Sequence, residues 1–160
     1  LDGDADARRH AVITSCDAKA KIVAGDEREL GQRALLNLGH TFAHTLEAET
    51  GFGSRLLHGE AVSIGMILAF DLSTSLGLCP AEDTARVKRH FAAVGLPMGL
   101  DAVAGQDWSS KTLINHMRLD KKVRDGRITF ILARGIGDAF IANDVSLKDV
   151  ESLLDNAIAA

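Results

Sequence analysis

The sequence predicts a mainly α-helical domain carrying one small β-hairpin. Three observations lead there. Apolar residues recur near a 3.6-residue period through the first two-thirds of the chain. The stretch after His58 is apolar on nearly every side. The last third changes period, with a β-branched and aromatic run, a glycine-rich turn and a second short run.

The elements follow in order. Ala5 to Ala24 places Ala11, Val12, Cys16, the Lys19 stem, Ile22 and Val23 on a helical spacing, with Gly25-Asp26 as its break. Glu27 to Thr50 carries a second helical pattern, with Gly31 and Gly39 as candidate interruptions, and Gly51-Phe52-Gly53-Ser54 reads as a loop. Glu60 to Leu76 contains Ala61, Ser63, Gly65 and Ala69 among large apolar residues; such a helix is buried in a bundle. Gly77 is its stop signal, with Pro80 soon after. Ala81 to Val94 is amphipathic and ends at Gly95-Leu96-Pro97, and Asp107 or Ser109 caps a short helix through His116. Arg127 to Ala133 reads as a strand, Gly135 to Asp138 as a turn and Ala139 to Ala142 as the return. Ser146-Leu147-Lys148-Asp149 opens a last helix that runs to Ala159.

Composition excludes several function classes. The chain has 160 residues, 46% of them hydrophobic and 25% charged, which is globular and not disordered. A net charge of −4 argues against a nucleic-acid platform, and six Phe, one Trp and no Tyr give little for bases to stack on. Two cysteines cannot form a disulfide framework, and free thiols fit a reducing, cytoplasmic compartment. The run Ala61 to Leu72 is broken by Ser63, Gly65 and Asp71 and is too short to span a bilayer, so no membrane partner is expected. Leu1 to Asp6 is a polar lead-in and not a signal peptide; the absence of an initiator Met points to processing or to a fragment.

Three of six histidines, His40, His44 and His58, fall close together. At spacings i, i+4, i+7, i+11 and i+14, Arg33, Asn37, His40, His44 and Glu47 form one polar line on a helix. Such a line is ordinarily a solvated face, but this one holds imidazole, carboxamide and guanidinium groups that bind metals, phosphate or oxyanions. His58 follows a glycine-rich loop and precedes the buried helix, where it can lean toward a neighbour. Imidazoles from two helices are common makings of a zinc site, and a catalytic zinc takes three protein ligands, so a third is to be sought. The His-Glu-x-x-His order of zinc proteases is missing, because Thr41 follows His40.

The run from Arg33 through Asn37, His40 and His44 to Glu47, followed by Leu57-His58-Gly59-Glu60-Ala61-Val62, closely resembles the 3-dehydroquinate synthase family. Ser15-Cys16 with Lys19, then Asp26 to Glu29, and downstream Met117 with Asp120-Lys121-Lys122-Val123, extend the likeness over the whole chain. The resemblance implies the C-terminal half of a two-domain fold. Residues 1–160 would form the helical metal- and substrate-binding domain, and an N-terminal NAD-binding domain would lie elsewhere. No G-x-G-x-x-G is present to bind NAD here, since positions 56 and 140 are Leu56 and Phe140. By resemblance His40 and His58 are two of three ligands to zinc or cobalt, the third being a Glu preceding this chain. Lys19, Arg33, Asn37 and one or both of Lys121 and Lys122 match substrate-binding positions; His44 and Glu29 match proton-handling positions. Ala43 stands where Gly is common, a mild departure.

The family's substrate is a seven-carbon sugar phosphate, converted to a carbocycle with loss of phosphate in the shikimate pathway. The resemblance also implies a homodimer in full-length form and an inactive fragment in isolation. Two other readings stand beside it: another sugar-phosphate cyclase or metal-dependent polyol dehydrogenase, and a helical module without catalysis. Of the remaining residues, His10 reads as a solvated helix position, His90 and His116 as surface or satisfied histidines, Trp108 as a packing anchor, Cys16 as core and Cys79 as a helix-end residue.

Overall fold

A computed structural model describes residues 3–27, 31–119, 123–124 and 127–160. The chain divides into two units, residues 1–37 and 38–160.

The first unit is a long helix, α1 (Ala5–Gly25), followed by a 3-10 segment (Gln32–Asn37). The Asp4 side chain caps α1 by accepting from the Asp6 and Ala7 amides. Gly25-Asp26 ends it as the sequence predicts. The Asp26 carboxylate then accepts from the amides of Gly31 at 2.8 Å and Arg33 at 3.0 Å, which ties the chain into the 3-10 segment. No residue of α1 is buried. Cys16 is exposed, which corrects its reading as core: periodicity tells which residues share a helix face, not what covers that face.

The second unit is built around α3 (His58–Ser75), which packs against α2 (His40–Thr50), α4 (Ala81–Ala93), α6 (Leu147–Ala159) and the hairpin strand β3 (Phe130–Gly135). Its buried side chains lie all round the helix, from Ala61 and Ile64 to Phe70 and Leu72, as its composition predicts. Gly77, at φ 71°, ends α3 in a left-handed residue; its amide reaches the Thr74 carbonyl and that of Leu78 reaches Ser73. Helix α5 (Ser110–Leu119) begins after Ser109, whose carbonyl accepts from Leu113, and packs on α2 and α6. Ser146 caps α6 by accepting from the Lys148 amide. The main core joins Phe42, Leu46, Ile64, Leu68, Leu72, Leu113, Phe130, Leu132, Val150 and Leu154. Trp108 packs against it and donates its indole N–H to the Leu100 carbonyl.

Strand β3 pairs with β4 (Asp138–Ala142) in antiparallel register, Phe130 opposite Ala142 and Leu132 opposite Phe140, with an irregularity between Ala133 and Gly135. The strand expected to run unbroken from Arg127 is divided at Thr129. Residues 127–128 (β2) pair instead with residues 123–124 (β1), so a second short ladder joins the hairpin foreseen.

Candidate active site

The meeting of α2 and α3 begins with two glycines. Gly39, at φ 81°, precedes α2, and Gly65 sits in the middle of α3. A Cβ on Gly65 would lie 2.2 Å from the Gly39 carbonyl oxygen, and one on Gly39 would lie 2.5 Å from the Met66 amide nitrogen. The two backbones therefore touch, and His40, the first residue of α2, is held by that contact.

Gly39 also breaks the predicted polar line. Residues 32–37 form a 3-10 segment and α2 starts afresh at His40. Arg33 and Asn37 are thus not on the helix that carries the histidines, and the line is continuous only over His40, His44 and Glu47. In the first unit Lys19 is exposed on α1. Arg33 is half-buried and donates its guanidinium N–H to the Glu27 carbonyl at 2.7 Å. Glu29, Lys121 and Lys122 lie outside the described residues.

His58 opens α3, as its place after the loop predicts. The turn there is fixed by Glu60, whose carboxylate accepts from the Leu57 amide at 2.8 Å. The three imidazoles come together: ring centroids are 5.6 Å apart for His40 and His44, 5.6 Å for His40 and His58, and 6.4 Å for His44 and His58. The His58 Nδ1 is 3.0 Å from Glu47 Oε1. The His40 Nδ1 faces the Leu38 carbonyl at 3.4 Å.

These rings suit part of a metal site. An imidazole bound through Nε2 puts its centroid about 3.2 Å from the ion, so two such rings in a tetrahedron stand about 5 Å apart. His40 meets that spacing with either neighbour, whereas His44 and His58 would need a nearly linear arrangement. An Nδ1 that faces an acceptor leaves Nε2 to bind metal, the usual pattern behind a histidine ligand, and His58 and His40 both show it. No group of three His, Cys, Asp or Glu side chains among the described residues could hold a metal ion. His40 with either neighbouring imidazole offers two donors at a spacing a metal ion can bridge.

Sequence reasoning missed Glu47 as the partner of His58, Gly65 as the contact of Gly39, and Asp26 as the link into the 3-10 segment. Only Glu47 carried a signal, its place on the polar line. The other histidines behave as ordinary residues: His10 and His90 are exposed, and His116 meets Glu49 at 2.8 Å. Cys79 is buried in the link between α3 and α4. Among the described residues no helix is long and apolar enough to cross a membrane.

Comparison with known proteins gives one consistent result. The family model for the 3-dehydroquinate synthase C-terminal region matches residues 1–123. The 3-dehydroquinate synthase of Rhodospirillum rubrum is 54% identical over 160 residues, and that of Nitrobacter winogradskyi 56% identical over 163 residues. Each alignment covers 99% of this chain and 42% of the relative, so the chain spans less than half the length of the curated relatives it matches. Among solved structures, 2-epi-5-epi-valiolone synthase from Streptomyces hygroscopicus, with NAD+ and Zn2+ bound, is similar at 25% identity with a TM-score of 0.80 over 98% of this chain and 41% of that one. A 2-deoxy-scyllo-inosose synthase complexed with carbaglucose-6-phosphate, NAD+ and Co2+ shares the fold at 19% identity, TM-score 0.74, over 88% of this chain and 40% of that one.

Proposed function

This chain belongs to the 3-dehydroquinate synthase C-terminal family, and from that premise we propose that it is the metal- and substrate-binding half of a 3-dehydroquinate synthase. The whole protein would be a lyase of the shikimate pathway and aromatic amino acid biosynthesis. It would convert 3-deoxy-arabino-heptulosonate 7-phosphate to 3-dehydroquinate and phosphate in the cytoplasm, as a homodimer with NAD held mainly by a preceding domain. The observation that carries this reading is the meeting of His40 and His58, from two helices, at 5.6 Å between ring centroids.

His40 and His58 are the ligands this chain contributes. Zinc or cobalt, when bound, acts as a Lewis acid on the hydroxyl that is oxidised and on the carbonyl that results. Neutral imidazoles are suitable donors for either ion. Arg33 and the Lys121-Lys122 pair bring positive charge to a substrate with both a carboxylate and a phosphate. Lys19 and Asn37 are suited to its hydroxyls. The proton from the acidic C–H goes to a positioned base during phosphate loss, the departing phosphate itself, with His44, one turn beyond His40, or Glu29 assisting. The hydride belongs to the cofactor, and the protein's part is to orient the substrate against it.

The test is an assay of the full-length protein with the heptulosonate phosphate, following phosphate release and the carbocyclic product together. Wild type should yield both, and H40A and H58A should lose activity and bound metal. Phosphate release without a dehydroquinate product would reject the assignment. A related sugar-phosphate cyclase is the second reading, supported by the 25% identity to the NAD+- and Zn2+-bound valiolone synthase. The 54% identity to a dehydroquinate synthase favours the first. Turnover of a different sugar phosphate in the same assay would favour the second.

A further inference from the structure

His58 is a poorly anchored residue for a ligand. It is the first residue of α3, follows a loop, and its side chain is 59% exposed. The His40 and His44 rings lie beside it at 5.6 and 6.4 Å between centroids but select neither tautomer, and a neutral imidazole without a directed partner carries its proton on either nitrogen. What holds it is Glu47, whose side chain is only 14% exposed and whose Oε1 lies 3.0 Å from Nδ1. A carboxylate only accepts, so the proton in this contact sits on Nδ1 and the Nε2 lone pair faces away from Glu47.

The position of that carboxylate is itself fixed. Glu47 lies seven residues beyond His40, two turns along the same stripe of α2, and α2 is held to α3 by the Gly39–Gly65 backbone contact. The spacing between the helix that offers Glu47 and the helix that starts at His58 therefore has little freedom. A rigid acceptor thus sets the tautomer and rotation of an exposed ring.

We propose that Glu47 is a positioning residue: it keeps His58 in the Nδ1–H form and turns Nε2 toward the ion shared with His40. This rests on the reading of His58 as a ligand, and the experiment separates the two. In full-length protein labelled with [15N]histidine and stripped of metal, long-range 1H–15N spectra at a pH where imidazoles are neutral report which nitrogen of His58 is protonated. Zinc affinity is measured in parallel by competition with a chromophoric chelator.

Wild type should show the proton on Nδ1. E47A should lose that preference and bind zinc about 10- to 100-fold more weakly, the usual effect of removing a ligand's outer partner. E47Q keeps an acceptor oxygen and should restore the tautomer and part of the affinity, which a merely structural role would not predict. If E47A fails to fold, E47Q compared with E47K decides the matter, because Lys offers no acceptor. An unchanged His58 tautomer in a folded variant lacking the acceptor overturns the proposal. If H58A weakens zinc binding and E47A does not, the proposal for Glu47 falls while the ligand reading stands. If H58A leaves zinc affinity intact, the ligand reading fails and takes the role of Glu47 at the metal with it.

Discussion

Replacing Gly65 by alanine adds one methyl group where two backbones already touch. The new Cβ would stand 2.2 Å from the Gly39 carbonyl oxygen and 3.1 Å from both the Gly39 carbonyl carbon and the Ala43 amide nitrogen. None of these is the end of a flexible side chain, so no rotamer change relieves the clash. An ordinary contact needs about 1 Å more, and α2 and α3 must part by that amount at their closest point. Overpacking of this kind costs about 2–3 kcal/mol and should lower Tm by roughly 5–12 °C for a chain of this size. His40 follows Gly39 directly, so the same displacement moves it from His58, and misplacement on that scale costs on the order of 100-fold in a geometry-dependent step. Gly77 supplies the contrast. It also needs a left-handed conformation, at φ 71°, but a Cβ there meets nothing within 4 Å. G77A should cost about 1–2 kcal/mol through backbone conformation alone and leave metal affinity unchanged. Thermal unfolding and zinc titration of both variants are the assay. A G65A protein with wild-type Tm and wild-type zinc affinity would refute the argument that this contact sets the site.

Ser73 is fully buried, donates to the Ala69 carbonyl at 2.7 Å and accepts from the Ala133 amide at 3.1 Å. S73A leaves that β3 amide without its acceptor and should destabilise by about 1–3 kcal/mol, read by denaturant unfolding. In the 160-residue chain Cys16 is exposed and Cys79 buried; a thiol reagent should therefore titrate one cysteine in the native chain and two after denaturation, with C16S removing the fast one. The same chain offers two imidazoles of a larger set. It should bind zinc only weakly, with Kd on the order of 1–100 μM if two imidazoles supply about half of the binding free energy typical of a four-ligand zinc site. Calorimetry should show H40A abolishing this binding, and nanomolar affinity for the chain alone would contradict a shared site.

Much of this architecture was legible because its signals are local. Small residues among large ones marked α3 as buried, Gly77 and Ser146 marked helix ends, and the spacing of His40, His44 and His58 marked the cluster. Gly39 offers itself in the sequence as a candidate interruption, and the helix does restart there, but the contact that accompanies the break lies 26 residues away. Gly39 takes its conformation where Gly65 lets α3 approach, and a periodic pattern read along one helix does not contain that contact. The pairing of Glu47 with His58 was hidden in the same way, eleven residues apart across a loop. Cys16 shows the complementary limit. Its apolar spacing correctly predicted a helix, but burial depends on whatever packs on the face, which spacing does not encode.

The two imidazoles are held by different means, and this orders the site's sensitivity to change. His40 is half-buried and follows a backbone contact that admits no side chain, so its position follows that of α2 as a whole. His58 is exposed, lies against the His40 and His44 rings, and by the proposal above is oriented by its hydrogen bond to Glu47. A perturbation at Gly65 shifts the helix that carries His40, His44 and Glu47 together, altering both the proposed ligand pair and the group proposed to orient its second member. A perturbation at Glu47 frees one ring and leaves the helices in place. Loss at Gly65 therefore appears in stability and in metal binding alike, whereas loss at Glu47 appears in metal binding and in the tautomer of His58. That difference distinguishes a residue that builds the joint between the helices from one that aims a ligand across it.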